Sequence, residues 1–443
     1  MPDILKTEGN QKIDIFLWAH SDQAGGTEIP CVMAKAFRSR TGFGVTIGII
    51  TPFPRTVDDF FQVEGGHLSG IEKIQSPALL SLGKNPKTSS VDPSKTMGLI
   101  ESRFSSQDPK KLVYEFTRVL KPKCKSNSLM ISCGEPIALE VAKRCGIMAI
   151  IVTDHLLTQS VRRVIDRLGG VPNYISGVLK KLEFYEISPT RGAIAFLSPP
   201  EFGVPEYREY LEKNWEELIE INGLFYDPVP IHELYCAPHY IELNELNKQC
   251  PVVIVFGGGG EVWDQIYVQL HKAVKGGGLG KSDDENQFSL ILRDVNLKGK
   301  VVPRTWKLFK PGNKKGKSLN DPGKMMYWYA ACSLLVGRGG LAAQQIFATM
   351  QSNLDNPPGM LFIEEPGHAQ IESERRSLRK KGLVIDEDLD SFKNDPFGKI
   401  KNTLSKKNLF REISEKARLR YSPGTIERLA DFILNRYKPH RKL

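Results

Sequence analysis

Short apolar runs of four to seven residues alternate along this chain with longer segments whose apolar positions recur every three or four residues. That alternation is the signature of buried parallel strands joined by crossover helices. In the first half, Ile13 to Trp18, Val45 to Ile50, Leu129 to Cys133, Met148 to Val152 and Ala193 to Leu197 read as strands. In the second half, Val252 to Phe256, Phe288 to Leu292, Leu334 to Gly337 and Met360 to Ile363 read the same way. Ile29, Val32, Met33, Ala36 and Phe37 place a helix behind the first strand, and Ile426, Leu429, Ala430, Phe432 and Ile433 place another over Thr425 to Tyr437. The predicted fold class is α/β.

The rhythm breaks at INGLFYDPVP, residues 221–230, where Asn-Gly and two prolines precede a fresh strand-helix series beginning at Pro251. A domain joint is placed there. The division expected is 1–228 for an amino-terminal domain, 229–422 for a carboxyl-terminal domain, and 423–443 for a terminal helix packing back on the first domain. Residues 64–106, rich in Ser, Pro, Gly and Lys, read as loop with short elements, and residues 276–287 and 310–323 read as flexible surface loops.

A length of 443 residues fits two or three domains with their own cores, and 40% hydrophobic with 25% charged residues is a soluble globular balance. No run of about 18 apolar residues occurs, and MPDILKTEGN lacks a secretory pattern, so a cytoplasmic location is expected. The seven cysteines never form C-x-x-C, which argues for reduced core thiols and against a zinc site. The net charge of +10 favours phosphorylated ligands, anionic lipid surfaces or nucleic acid without choosing among them. No aromatic-basic interleaving supports a nucleic-acid partner.

The strongest local signal is VVIVFGGGGEVWDQIYVQLHKAV, residues 252–274, in which a strand ends in Gly257 to Gly260 and a helix follows. Without Cβ atoms the backbone can approach a ligand closely, and its amides with the positive helix end suit a phosphate. The spacing matches neither G-x-G-x-x-G nor a P-loop. A second unit, SLLVGRGGLAAQQIFATM at 333–350, puts Arg338, Gly339 and Gly340 at another strand end, where ligands of open α/β sheets collect. Arg338 can bind a diphosphate bidentately. Gln344 and Gln345 either reach ribose hydroxyls or are solvated helix residues. After the strand at 360–363, the turn at Pro366 and Gly367 leads to His368 and Gln370, which either bind sugar hydroxyls or form an exposed helix start. Gly382 reads as the C-cap of that helix.

These three elements, in this order over residues 252–385, resemble the nucleotide-binding domain of GT-B glycosyltransferases, most closely family 28, which includes the peptidoglycan N-acetylglucosaminyltransferase. The resemblance implies that Gly258, Gly259, Gly260, Arg338, Gly339 and Gly340 hold the diphosphate and that His368 and Gln370 contact the donor. The family places an acidic residue on the ribose, where this chain has Gln344 and Gln345. It also implies two Rossmann-like domains facing across a cleft.

WAHSDQAGGTEIPCVMAKAF, residues 18–37, resembles the family's first βα loop, with Gly25 and Gly26 ahead of a proline. Family members carry a histidine just before that proline, and this chain has Thr27 and Glu28. The general base would then be His20, Asp22 or Glu28, any of which could instead be a loop or capping residue. Asp154 and His155, in VTDHLL, sit at another strand end as acceptor-side or structural residues, beside Gly25, Gly26 and Thr27. Residues 161–184 mix basic and apolar positions, which suits either peripheral membrane contact or a helix pair covering the core.

The function expected is an inverting, metal-independent transfer of a hexosyl or N-acetylhexosaminyl group from a nucleotide-diphosphate donor, UDP-linked, to a hydroxyl acceptor. No resident cofactor is required. The acceptor classes open are a glycan, a lipid-linked molecule or a small molecule. The alternatives are an epimerase or hydrolase of nucleotide sugars on the same scaffold, and a catalytically silent nucleotide-sugar-binding protein.

Overall fold

In a computed structural model the chain forms two compact units, one of residues 1–84, 91–226 and 424–443, the other of residues 85–90 and 227–423. The structure describes the chain outside residues 1–5, 8–10, 20–24, 43, 64–69, 84, 86–90, 106–107, 153–156, 188–193, 198–204, 216, 221–230, 257–260, 280–286, 297, 299, 321–324, 339–353, 355, 365–368, 422–424 and 438–443. The domain joint read at 221–230 therefore lies outside the described residues.

The first unit is built on an eight-stranded sheet: β1 (Lys6–Thr7), β2 (Ile13–Trp18), β3 (Ile47–Thr51), β4 (Ile71–Gln75), β5 (Cys124–Ser132), β6 (Met148–Val152), β7 (Ile194–Leu197) and β8 (Leu218–Glu220). Their order is β1-β4-β3-β2-β5-β6-β7-β8, and all neighbours are parallel except β1 with β4. After the short edge strand β1, the chain enters the sheet at β2, runs outward to β4, and returns to the other side of β2 for β5 to β8. Strand alternation sends Phe16 and Trp18 into one core and Ile15 and Leu17 into the other. The helix Thr425–Tyr437 belongs to this unit and joins the second core through Ile426, Leu429, Ala430 and Ile433. Ion pairs of Arg40 with Asp431 and of Arg436 with Glu217, each at 2.5 Å, hold its outer side.

Two elements fall inside the stretch read as mostly loop. β4 alternates buried and half-exposed positions rather than presenting a continuous apolar run. The helix Pro93–Phe104 buries Thr96, Ile100 and Phe104, a stripe with only two apolar members. Its start is set by Asp92, whose side chain accepts from the Lys95 amide at 3.1 Å, and by Pro93 in the first turn.

The second unit carries a seven-stranded sheet: β9 (Val252–Val255), β10 (Ser289–Val295), β11 (Val301–Phe309), β12 (Lys317–Leu319), β13 (Leu334–Arg338), β14 (Gly359–Glu364) and β15 (Ile385–Asp388). The order is β12-β11-β10-β9-β13-β14-β15, parallel throughout except for β11 and β12. Again the chain leaves a central strand, β9, in one direction and returns to its other side, at β13.

The segment 310–323 departs from the flexible loop expected of it. Residues 310–316 form a tight turn, with Gly312 and Gly316 at φ 74° and 69° and the Asn313 side chain accepting from the Lys315 amide at 3.0 Å, and β12 then pairs with β11. Residues 296–320 hold eight lysines and arginines and no acid, which leaves 53 of the 61 basic residues against all 51 acidic ones elsewhere. The surplus charge of the chain thus lies in this antiparallel extension. Among the described residues no helix is long and apolar enough to cross a membrane.

Two buried ionisable groups make the stability of each unit testable. In the first unit Lys123 Nζ lies 2.6 Å from Glu72 Oε1, with side chains 5% and 7% exposed. Glu72→Ala removes the anion facing a buried ammonium and is expected to cost on the order of 3 kcal/mol in urea unfolding, much of it recovered in Glu72→Ala/Lys123→Met. An unchanged unfolding midpoint would show the pair to be immaterial. In the second unit His271 is buried, donates from Nε2 to the Arg293 carbonyl at 3.0 Å and meets Phe309 edge-on. Burial holds its pKa below the ordinary histidine value, with Lys307 and Lys275 acting in the same sense and the Arg293 carbonyl and Asp294 opposing. The unfolded chain therefore binds the proton first as pH falls below about 6.5, so stability is full above that pH and declines below it. His271→Gln is expected to flatten this acid-side loss in thermal unfolding of the second unit, and an unaltered pH profile would contradict it.

Candidate functional site

In the second unit β9 and β13 are parallel neighbours in register, Val336 beside Val255. Phe256 follows β9 and donates its amide to the Val336 carbonyl at 2.9 Å. Its ring covers Gly337, where an added Cβ would lie 2.5 Å from the ring, and it also packs on Tyr329 with centroids 5.0 Å apart. Any side chain at position 337 would displace that ring. β9 and β13 thus end side by side at the sheet's carboxyl edge, at the point where strand order reverses. This is where open α/β sheets gather ligands.

Arg338 is the last residue of β13, half-buried and paired in register with Ile363 of β14. The strand after it, β14, ends at Glu364, at the same edge one strand further on. Arg375 bonds both Glu364 and Asp386, and Arg379 reaches Asp386 at 2.9 Å, which ties the helix Ala369–Lys380 to β14 and β15. Gln370 is the second residue of that helix, and Gly382 at its end takes φ 64°. Gly258, Gly259, Gly260, Gly339, Gly340, Gln344, Gln345 and His368 lie outside the described residues.

The helix Glu261–Lys275 follows the glycine run and buries Val262, Trp263, Ile266, Tyr267, Leu270 and Val274. Its first turn carries Glu261 and Asp264. Burial raises the Asp264 pKa, Glu261 adds to the rise and Lys300 opposes it. These carboxylates offset the positive end of the helix. The acidic first turn is visible in the sequence as E-V-W-D, a signal that the glycine run overshadows.

In the first unit β2 passes into Ala19, whose amide donates to Ile50 at 2.9 Å, while the Cys133 amide donates to Trp18 at 2.9 Å. The chain thus leaves β2 between β3 and β5, again at the reversal of strand order. His20 and Asp22 lie outside the described residues. The helix Gly25–Thr41 opens with Gly25 and Gly26 and carries Glu28, whose side chain is outside the described residues. Thr27 is 0% exposed, and its hydroxyl lies 2.6 Å from that of Thr51, which also accepts the Phe53 amide at 3.0 Å. That bond fixes the start of the helix to the end of β3.

Asp154 and His155, which follow β6 in the chain, lie outside the described residues. The next helix, Leu157–Ile165, has its positive end filled from within: Glu186, 4% exposed, accepts from the Leu157 amide at 2.7 Å, the Thr158 amide at 3.1 Å and the Thr158 hydroxyl. A carboxylate so placed excludes a phosphate from that helix end. Glu186 comes from the helix Asn173–Ile187, and no local sequence signal marks so distant a cap. Within 161–184, Val161, Val164, Ile165, Ile175, Leu179 and Leu182 are buried and Arg162 pairs with Glu183 at 2.6 Å, while Tyr174 and Phe184 are exposed.

No protein-family model matches this sequence, and no curated protein matches it either. Solved structures do. The calicheamicin glycosyltransferase CalG4 matches with TM-score 0.54 at 13% identity over 96% of this chain and 98% of its own. MurG of Acinetobacter baumannii matches with TM-score 0.50 at 12% identity over 96% and 99%. A protein of Listeria monocytogenes assigned as a UDP-N-acetylglucosamine 2-epimerase matches with TM-score 0.50 at 10% identity over 98% and 99%. Likeness at such identities is likeness of fold, and with two sheets that each reverse strand order beside a central strand, this chain has the GT-B fold of glycosyltransferases, two Rossmann-like domains in one chain.

Proposed function

We propose that this protein is a glycosyltransferase that moves a hexosyl or N-acetylhexosaminyl group from a UDP-linked donor to a hydroxyl acceptor, with inversion and without a metal ion. The observation that carries the reading is the second unit's carboxyl edge. There β9 and β13 end as adjacent strands, the ring of Phe256 lies over Gly337, and Arg338 closes β13. As the anomeric C–O bond breaks, negative charge gathers on the departing diphosphate. Main-chain amides of 257–260 and 339–340 and the guanidinium of Arg338 stabilise it most at that moment. Gln344, Gln345, His368 and Gln370 are assigned to the donor's sugar and ribose hydroxyls.

Inversion in a single displacement requires a base for the acceptor hydroxyl. The candidates are His20, Asp22 and Glu28, all on the segment leaving β2. Gly25, Gly26, Asp154 and His155 are assigned to the acceptor, with Thr27 holding the loop through Thr51. The second unit is the donor's because its anion site is left to amides and Arg338, whereas in the first unit Glu186 takes the helix end that follows β6. A cytoplasmic location fits this chemistry, with Tyr174 and Phe184 available for peripheral membrane contact. The likeness to the Listeria protein favours one second reading, epimerisation or hydrolysis of the donor itself.

Thermal-shift measurements across a nucleotide-sugar panel test the proposal. A UDP-sugar at about a hundred times its Kd is expected to add roughly 2.7 kcal/mol of stability, a shift of a few degrees. Arg338→Ala is expected to weaken binding about 30-fold or more, the loss of a charged hydrogen-bonding partner. Gly337→Ala, by pushing on Phe256, is expected to weaken it about tenfold. Equal shifts with ATP, or none, would refute the site. Sugar isomer or free sugar from donor alone would assign the second reading.

A further inference from the structure

In the second unit the end of β9 lies in a notch. Val252, Val253 and Ile254 stand beside Ser289, Leu290 and Ile291 of β10, so Val255, the last residue of β9, is level with Leu292. β10 runs on through Arg293 and Asp294 to Val295, roughly 10 Å past that level. On the other side Val336 is level with Val255, and β13 runs on to Gly337 and Arg338. The short central strand is thus flanked at the carboxyl edge by two longer ones.

One flank carries Arg338. The other ends in a closed turn between β10 and β11, where Val295 pairs with Val301 and the Asn296 amide donates to the Lys300 carbonyl at 2.9 Å. The Asn296 side chain accepts from the amides of Lys298 at 2.9 Å and Lys300 at 3.0 Å, which fixes the tip. Below the tip the charges are engaged: Arg293 stacks on the Trp306 ring at 4.1 Å, and Asp294 meets Lys307 at 2.8 Å. Lys298 and Lys300 are exposed. Burial raises the Asp264 pKa and Glu261 adds to the rise, while Lys300 opposes both, which puts this ammonium within electrostatic reach of the first turn of the helix Glu261–Lys275. The cations of the extension therefore divide between the two ends of β11. Lys310, Lys314, Lys315 and Lys317 are exposed at the far end, where Phe309 pairs with Leu290 near the start of β10.

We propose that the β10–β11 hairpin is a cationic flank of the donor site, and that Lys298 and Lys300 draw the diphosphate of a nucleotide-linked substrate into the notch opposite Arg338. The inference rests on the reading of this edge as the diphosphate's. Lysine suits the task, because an ammonium on a long stem is a hydrated point charge without the fork that lets Arg338 hold two oxygens at once. Its attraction reaches about 8 Å at physiological salt, comparable with the roughly 10 Å of two strand spacings between β10 and β13. A rim charge of this kind acts on the rate of encounter and its salt dependence more than on the bound geometry. It also counters Glu261 and Asp264, whose carboxylates repel a diphosphate coming from the helix side.

Calorimetric titration of UDP into the full-length chain at low and high salt, about 0.02 M and about 0.5 M, tests the inference. Lys298→Glu/Lys300→Glu is expected to weaken binding about tenfold at low salt and less than about twofold at high salt. Lys298→Gln/Lys300→Gln is expected to lose about threefold at low salt, which keeps the test intact should the charge reversal disturb the turn. Lys314→Glu/Lys315→Glu makes the same change of net charge at the other end of β11 and is expected to bind UDP as the unaltered chain does. Equal losses in the two glutamate pairs, no loss at Lys298 and Lys300, or a loss unmoved by salt would each overturn the inference and leave the functional reading in place. Failure of the unaltered chain to bind UDP would overturn that reading, and the inference with it.

Discussion

The contact on which the candidate site depends is a ring over a missing side chain. Phe256 lies across Gly337, and the close approach this allows brings the end of β9 against the end of β13 exactly where strand order reverses. Both strand ends are fixed in register, because β9 and β13 are parallel neighbours whose apolar residues are buried. A diphosphate site made of main-chain amides needs such a support, because amides aimed from loosely anchored backbone would lose their preorganisation.

Charge is distributed to the same effect. The positive surplus of the chain lies in the antiparallel extension around β11 and β12, so the overall balance of basic and acidic residues says little about the site itself. Helix ends are treated individually. Glu186 fills the one after β6, and Glu261 with Asp264 partly offsets the one after the glycine run. The second unit's reversal point has Arg338 at the end of β13, whereas after β5 in the first unit the buried carboxylate Glu135 lies close to the half-buried guanidinium of Arg103.

What could be read from the sequence follows from how local each signal is. β2, β6, β9, β13 and β14 are predominantly apolar runs, and the strand readings fall on them within a residue or two at each end. β4 and the helix Pro93–Phe104 were not legible because half-buried elements offer fewer apolar positions than the pattern requires. β12 was hidden by lysines and glycines, since its pairing with β11 comes from a turn rather than from its own composition. At the site, Arg338 and the glycines stood out by residue type. Gly337 and Glu186 did not, because each matters through a partner distant in sequence, Phe256 for one and Leu157 and Thr158 for the other.

The central claim is that the second unit grips a diphosphate through amides and Arg338. A crystal structure of the chain with UDP tests it most directly. The account requires the diphosphate to lie against the backbone of 257–260 and 339–340 with the Arg338 guanidinium on its oxygens. A nucleotide bound anywhere else on the chain, or side chains filling that edge of the sheet, would contradict it.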